Sequence, residues 1–356
     1  FWELALIPIY FICLLWGGEN RGAITFKFFV YTLLGSLFML VGLIYVYSHT
    51  GVETGIKSWA LTDLYAAGKS LDINQQSFVF WCIFLAFGIK MPIFPLHTWQ
   101  PDTYVNAPTQ GTMLLSGIML KMGLYSVIRW QLPIVPWAAK GHITIMLVLG
   151  IAGVIYGSIV ALRQKDLKKL LAYSSLAHVG LIAAGAYTMT ADGISGAVLQ
   201  MIAHGFVVVG LFFIAEIIYR RYETRVIADM GGIRSQAPKF ASLFLLIVLA
   251  SVALPTTFNF IGEFTVLYSL SQVNMVFAIL GGTTIILGAY YMLKMYQSVM
   301  LGETNAKPFA DVTIHEGIVL VVIIAVLFFF GLYPKPIIQL IAPSIEGILN
   351  QINRIK

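Results

Sequence analysis

Ten apolar runs shape this chain, at about residues 1–16, 25–47, 77–104, 109–131, 142–162, 168–188, 193–219, 238–271, 274–301 and 316–333. A helix needs roughly 20 apolar residues to cross a bilayer. One soluble core cannot absorb so many runs of this kind, because stacking them leaves almost no polar face. Charged residues make up 11% of the chain and hydrophobic ones 59%, where a soluble domain carries roughly 25% charge. The expected fold is an all-α polytopic membrane protein with about ten transmembrane helices. A last segment, 337–353, alternates apolar and polar residues and is predicted to lie on the membrane surface.

The loops after the first, fifth and seventh runs hold Arg21, Lys27, Arg163, Lys165, Lys168, Lys169, Arg220, Arg221, Arg225, Arg234 and Lys239. Those after the sixth and eighth hold no lysine or arginine. The positive-inside rule puts the first group in the cytoplasm, with the amino end and the tail facing outward. The net charge of +6 needs no nucleic-acid partner to explain it. Cys13 and Cys82 lie in apolar runs without charged neighbours, so they supply neither a disulfide framework nor a cysteine-ligated cluster. The opening residues, "FWELALIPIYF", already look like helix interior, and the expectation is that the sequence starts partway through a longer protein.

Two runs are interrupted. The stretch "FGIKMPIFPLHTWQPD", 87–102, carries Pro92, Pro95 and Pro101. The run from 238 carries Pro255, followed by "TTFNFIGEF" with Asn259 and Gly262. Broken helices persist at membrane depth only where the freed backbone groups meet protein or water. In transporters they mark ion and substrate sites.

The candidates among the ionisable residues of these runs are Glu3, Lys90, His97, Lys121, His178, His204, Glu216, Glu263 and Lys294. Charge in a membrane is costly, so each is a functional candidate. Near a helix end the plainer account is a side chain that snorkels to the interface. That account covers Glu216, four residues before Arg220. His97 is expected near the outer surface, with backbone capping as its plainer role. Lys90, Lys121 and Glu263 are flanked by apolar residues or breaks, and snorkelling explains them poorly. The prolines give Lys90 a partly hydrated place, and Glu3 is its natural partner. A lysine whose carboxylate partner can move has a switchable proton affinity. His178 and His204, with ordinary pKa values of roughly 6.5, suit a proton relay between the lysines and Glu263. A bis-histidine haem is the rival use of that pair.

The spacing adds a pattern. Glu3, Lys90 and Lys121 recur as His178, Glu263 and Lys294, at offsets of 175, 173 and 173 residues. Five spans separate the members of each pair, an odd number, so the two sets run in opposite directions through the membrane. That is an inverted repeat of five-helix units with two broken helices. The expected divisions are 1–131 for the first repeat, 142–302 for the second, and 303–356 for the last transmembrane helix and the amphipathic tail.

Specific motifs run along the whole chain: "WELALIPIYF" with "GGENR", "KFFVYTLLGS", "FGIKMPIFPLHTWQPDTYVNAPT", "LLSGIMLKMGLY", "QKDLKKLLAYSSLAHVG", "QMIAHG", "DMGGI" and "FNFIGEF". With these the chain resembles the antiporter-like membrane subunits of respiratory complex I, and among them the middle, M-type subunit. The resemblance implies a proton-translocating subunit of an NADH:quinone oxidoreductase. It implies fourteen helices, four of them before Phe1. It makes Glu3 and Lys90 a control pair on the fifth and seventh helices. Lys121 then continues the relay on the eighth, and His178 and His204 extend it toward Glu263, which faces an exit path. Glu263 stands where relatives commonly have lysine. Trp99 matches a position of structural importance, with a packing or interfacial aromatic as its plainer role. Lys294 has no fixed counterpart and rests on the repeat spacing alone.

The sequence shows no glycine-rich phosphate loop in the expected context. No cofactor is therefore expected on this chain, and FMN, Fe-S clusters and quinone are expected on partner subunits. The partners implied are the other membrane subunits of complex I, sister antiporter-like subunits among them, and lipid. The location implied is a bacterial inner membrane. Rival readings are a subunit of an Mrp-type Na+/H+ antiporter, a subunit of a membrane-bound hydrogenase, and a scaffold without an ion path. The intramembrane charges argue against the scaffold.

Overall fold

The computed structural model describes residues 2–51, 55–303 and 307–353. Helix α1 (Leu6–Trp16) leads to α2 (Arg21–Ser48) and to a short α3 (Leu61–Ser70) that hydropathy does not foretell. A capping box between Asp72 and Gln75 starts α4 (Ile73–Lys90). Here the first interrupted run divides: α4 stops at Lys90, residues 91–99 form turns, and α5 (Gln100–Asn106) completes it. Four spanning helices follow: α6 (Thr109–Ile134), α7 (Ile143–Leu162), α8 (Leu167–Tyr187) and α9 (Ala191–Tyr222). The second interrupted run divides into α10 (Pro238–Ser251) and α11 (Phe258–Val273), with 252–257 between them. Then come α12 (Met275–Met300), α13 (Ile314–Leu332) and α14 (Lys335–Asn353).

Among the described residues seven helices are long and apolar enough to cross a membrane: α2, α6, α7, α8, α9, α12 and α13. With α1 and the two broken pairs they account for the ten runs. Helix α8 is the spine. Its apolar window is 94% buried, against 22% in α13 and 28% in α2 and α12. The outer helices leave Leu34, Leu37, Val41, Ile279, Ile286, Ile318 and Val322 exposed. Such faces suit lipid or a neighbouring subunit. The tail is an amphipathic helix that buries Ile345, Ile348 and Ile352 along one stripe. Lys69 Nζ donates to Gln351 Oε1 at 3.0 Å and Lys140 Nζ to Asn353 Oδ1 at 3.4 Å, which ties it to the end of the molecule away from the basic loops.

The basic loops gather at the other end. Lys27 Nζ donates to Thr98 O at 2.8 Å, Arg225 Nη1 to Val105 O at 2.9 Å and Lys168 Nζ to Ala107 O at 2.7 Å. These bonds correct one expectation. His97, next to Thr98, lies on the way to the basic end and not near the outer surface, because α4 descends toward that end and its continuation goes further the same way.

Each break is braced by a glycine on another helix. A Cβ on Gly123 of α6 would stand 2.8 Å from Met91 N and 2.9 Å from Phe87 O, at the first break. A Cβ on Gly331 of α13 would stand 2.2 Å from Thr256 O, at the second. The second break also holds Ala253 at φ +54° and Thr256 at φ +90°. A β-branched residue at positive φ is strained and persists only where packing over-determines it.

Candidate proton-relay site

A broken helix leaves carbonyls without helical partners, and in both breaks a ring nitrogen meets one. Trp99 Nε1 donates to Ile89 O at 2.9 Å, with Trp99 only 3% exposed. Its ring lies 4.9 Å from that of Phe28. Trp99 is therefore an internal brace of the first break and not an interfacial aromatic. In the second break His178 Nε2 lies 3.3 Å from Ser251 O, the last residue of α10.

Four of the expected relay residues stand in one row. Lys121 Nζ is 2.6 Å from Ser116 O and 2.8 Å from His204 Nδ1. The His204 and His178 rings stack with centroids 5.6 Å apart. His178 Nε2 is 3.3 Å from Glu263 Oε1. All four side chains are buried: 9% exposed at Lys121, 1% at His204, 5% at His178 and 2% at Glu263. They come from α6, α9, α8 and α11. The spine helix α8 and its neighbour α9 thus carry the two rings, and α6 and α11 carry the ends.

The bonding partners decide where protons can sit. His178 Nδ1 faces Ser174 O at 2.8 Å, an atom that only accepts, so Nδ1 carries a hydrogen. Nε2 faces a carbonyl and a carboxyl group. Two arrangements satisfy the carboxyl contact, an imidazolium beside the Glu263 carboxylate or a neutral ring accepting from a protonated Glu263, and only the first also gives Ser251 O a donor. Lys121 and His204 show the same duality. An ammonium donates to Nδ1, or Nδ1–H donates to an amine. Each pair can pass a proton without moving a heavy atom, and the one gap lies between the stacked rings.

Lys90 is separate from this row. It is 3% exposed, its Nζ lacks a hydrogen-bond partner among the described residues, and it sits 5.1 Å from the Trp2 ring centroid. Glu3 Oε1 is likewise buried without a partner. The sequence anticipates a Glu3 and Lys90 pair; the structure holds the two in one neighbourhood without a bond, with Trp2 against the ammonium. His97 packs on Phe94 at 5.6 Å and on the edge of Tyr156 at 4.9 Å. Its Nδ1 bonds no described group, so that atom caps no backbone group. Lys294 is exposed on α12, 5.6 Å over the Tyr290 ring. The structure does not bring it to the row. Its neighbour Tyr291 faces inward and donates to Ser174 Oγ at 3.0 Å.

Two buried amide side chains on the same helices carry no charge and escape a search for ionisable residues. Gln200 Nε2 donates to Glu263 Oε1 at 2.9 Å, while Gln200 Oε1 is buried without a partner among the described residues. Asn259 is fully buried, and neither of its amide atoms has a partner among the described residues. Each lies four residues before a relay residue, Gln200 before His204 and Asn259 before Glu263, and that helical spacing is the signal that could have found them. The place of Lys121 depends on a π turn, Leu115–Met119, which directs its Nζ to the carbonyl five residues back. Such turns concentrate at functional sites.

The sequence pattern of the family described as "NADH:quinone oxidoreductase/Mrp antiporter, TM" matches residues 1–288. The NADH-quinone oxidoreductase subunit M of Rickettsia typhi is 42% identical over 352 residues, which are 98% of this chain and 70% of that protein. The protein of the same name from Rhodobacter capsulatus is 38% identical over 357 residues, again 98% of this chain and 70% of its own length. Among solved structures, a chain of respiratory complex I from Thermus thermophilus with bound NADH superposes with a TM-score of 0.92 at 30% identity, covering 99% of this chain and 74% of that one. A chain of the Mrp complex from Dietzia superposes with a TM-score of 0.86 at 18% identity, over 99% of this chain and 73% of that one, a likeness of fold alone.

Proposed function

The chain belongs to the NADH:quinone oxidoreductase/Mrp antiporter membrane family, and from that premise we infer that it is a proton-translocating membrane subunit of the NADH-quinone oxidoreductase. It is an integral membrane protein that works beside the other membrane subunits of complex I. The Mrp antiporter shares the fold, but the relatives at 38–42% identity are oxidoreductase subunits.

The buried row from Lys121 to Glu263 carries the mechanistic reading. Inert helices would not bear the cost of four ionisable groups at this depth. Charge arriving at Glu3 alters the attraction on Lys90. Lys121 passes a proton to His204 Nδ1. The proton crosses the ring stack to His178 and reaches Glu263. Gln200 holds Glu263 Oε1 toward the ring, and Glu263 releases the proton to the outer side. Electron transfer, with its flavin, iron–sulfur clusters and quinone, belongs to partner subunits in this reading. The inverted halves, 1–131 and 142–302, then supply one broken helix each.

The test is Glu263→Gln. Glutamine keeps the shape and still accepts from Gln200, but it cannot ionise. The expected result is a complex that assembles and no longer pumps. Normal proton pumping by the assembled variant would remove Glu263 from the path.

A further inference from the structure

The row explains how Lys121 loses a proton, not how it regains one. The face of α6 below Lys121 continues as a polar stripe toward the basic end: Ser116, Thr112 and Thr109. Ser116 and Thr112 are fully buried and Thr109 is 6% exposed. Ser116 Oγ donates to Thr112 O at 2.7 Å, and Thr112 Oγ1 to Tyr104 O at 2.8 Å. The π turn keeps Lys121 on the line of this stripe.

At the foot of the stripe the polar groups pass to other helices. Thr109 Oγ1 donates to Glu216 Oε2 of α9 at 2.6 Å. The other carboxylate oxygen, Oε1, accepts from Arg220 Nε at 2.8 Å. The Glu216 side chain is 19% exposed, so it faces the aqueous end with one oxygen and the stripe with the other. Lys168 of α8, 3% exposed, donates to Ala107 O at 2.7 Å, and the same carbonyl accepts from Thr112 Oγ1 at 3.4 Å. A cavity of about 10 Å³ lies among Thr109, Lys168, Glu216, Thr224 and Arg225, which is room for about one water. Surface pairing with Arg220 accounts for one oxygen of Glu216. It does not account for the bond to Thr109, nor for a buried lysine across the same cavity.

We propose that Glu216, with Thr109 as its first relay, is the port through which Lys121 is reprotonated from the basic end; this rests on the proton-translocating reading above. Once Lys121 has passed a proton to His204, its amine needs one back. The Glu216 carboxylate takes a proton from water at the basic end. Its bond to Thr109 then reverses: Glu216 donates to the Thr109 oxygen, and Thr109 gives its own hydrogen to water on the stripe side. Water along Thr112 and Ser116 delivers a proton to Lys121 Nζ. Glu216 and Thr109 end the cycle as they began, and one proton has moved inward.

The assay uses inside-out membrane vesicles containing the assembled complex, with NADH-driven acidification and quinone reduction measured together. The variants are Thr109→Val, Thr109→Ser and Glu216→Gln, with Glu263→Gln as the reference. Thr109→Val and Glu216→Gln are expected to assemble and to lose acidification by about tenfold or more, while Thr109→Ser keeps most of it. If both variants pump normally and Glu263→Gln does not, the port is elsewhere and the relay reading stands. If Glu263→Gln pumps normally too, the relay reading falls and the port falls with it. Equal loss in Thr109→Ser and Thr109→Val would mean packing and not proton passage, and would overturn the proposal. Should Thr109→Val fail to assemble, Glu216→Gln decides by the same measures.

Discussion

Trp99→Phe separates the brace of the first break from the chemistry beside it. The substitution keeps an aromatic ring against Phe28, 4.9 Å away, and removes the indole N–H that meets Ile89 O at 2.9 Å. Ile89 and Trp99 are 6% and 3% exposed, so solvent does not readily replace that donor. An unsatisfied buried carbonyl costs about 1–3 kcal/mol. The loss falls on the turn that positions Lys90, the residue following Ile89. If it appears as local opening, the amides of Met91 and Ile93, which bond Phe87 O and Gly88 O, should exchange roughly 5- to 150-fold faster. Hydrogen exchange on the purified complex, read on peptides covering 87–93, measures this directly. Pumping should fall along with it, because the ammonium is no longer held over Trp2. Unchanged exchange and unchanged pumping in the assembled variant would show that the indole bond does not brace the break.

Lys90→Ala should abolish coupled pumping and strongly slow quinone reduction, and Lys90→Arg should also fail, since arginine stays charged at accessible pH; full activity of the arginine variant in vesicle acidification would show that only charge matters there. Glu3→Asp should keep part of the activity and Glu3→Gln lose most of it, and equal rates for all three forms would remove Glu3 from the mechanism. Asp311, in the loop outside the membrane, accepts from Phe240 N at 2.9 Å, Lys239 N at 3.2 Å and Val312 N at 2.8 Å, and so caps the start of α10. Burial pushes its carboxyl up, but those N–H groups outweigh burial and hold it below its ordinary value. Its contribution is therefore present above roughly pH 4 and is lost as the pH falls through the lower folded value. Asp311→Ala removes this cap and should lower resistance to thermal inactivation by about 1 kcal/mol near neutral pH and flatten its acid dependence, and inactivation rates across the acid range check both.

The helices and the two breaks were legible because their causes are local. Apolar length set the spans, and Pro92, Pro95 and Pro255 marked the interruptions. Lys121, His178, His204 and Glu263 stood out because ionisable groups are rare in such runs. Equal spacing was a weaker guide: it paired Lys121 with Lys294, but spacing does not say which face of α12 turns inward, and Tyr291 faces the row instead. The side on which His97 lies follows from the direction of α4 carried on through the break, which the apolar pattern alone does not show. Gln200, Asn259 and Thr109 carry no charge; a spacing of four residues points to Gln200 and Asn259, and only the packing of α9 against Thr109 shows its bond to Glu216. Glu216 was assigned to Arg220 by its spacing of four residues, which is correct for one oxygen and silent about the other.

The π turn before Lys121 has a counterpart later in the same helix, Val127–Gln131. A π turn is in effect one surplus residue accommodated within an α-helix. Helix α6 therefore stores two spare residues in its 26, at separate places. A chain that loses one residue inside Leu115–Met119 closes that turn to ordinary α geometry and leaves Lys121 and Gly123 where they stand. A loss between the two turns has no such reserve and carries Lys121 or Gly123 out of register. Length variation among descendants of this helix should collect at those two places and leave the seven residues from Leu120 to Ser126 uninterrupted.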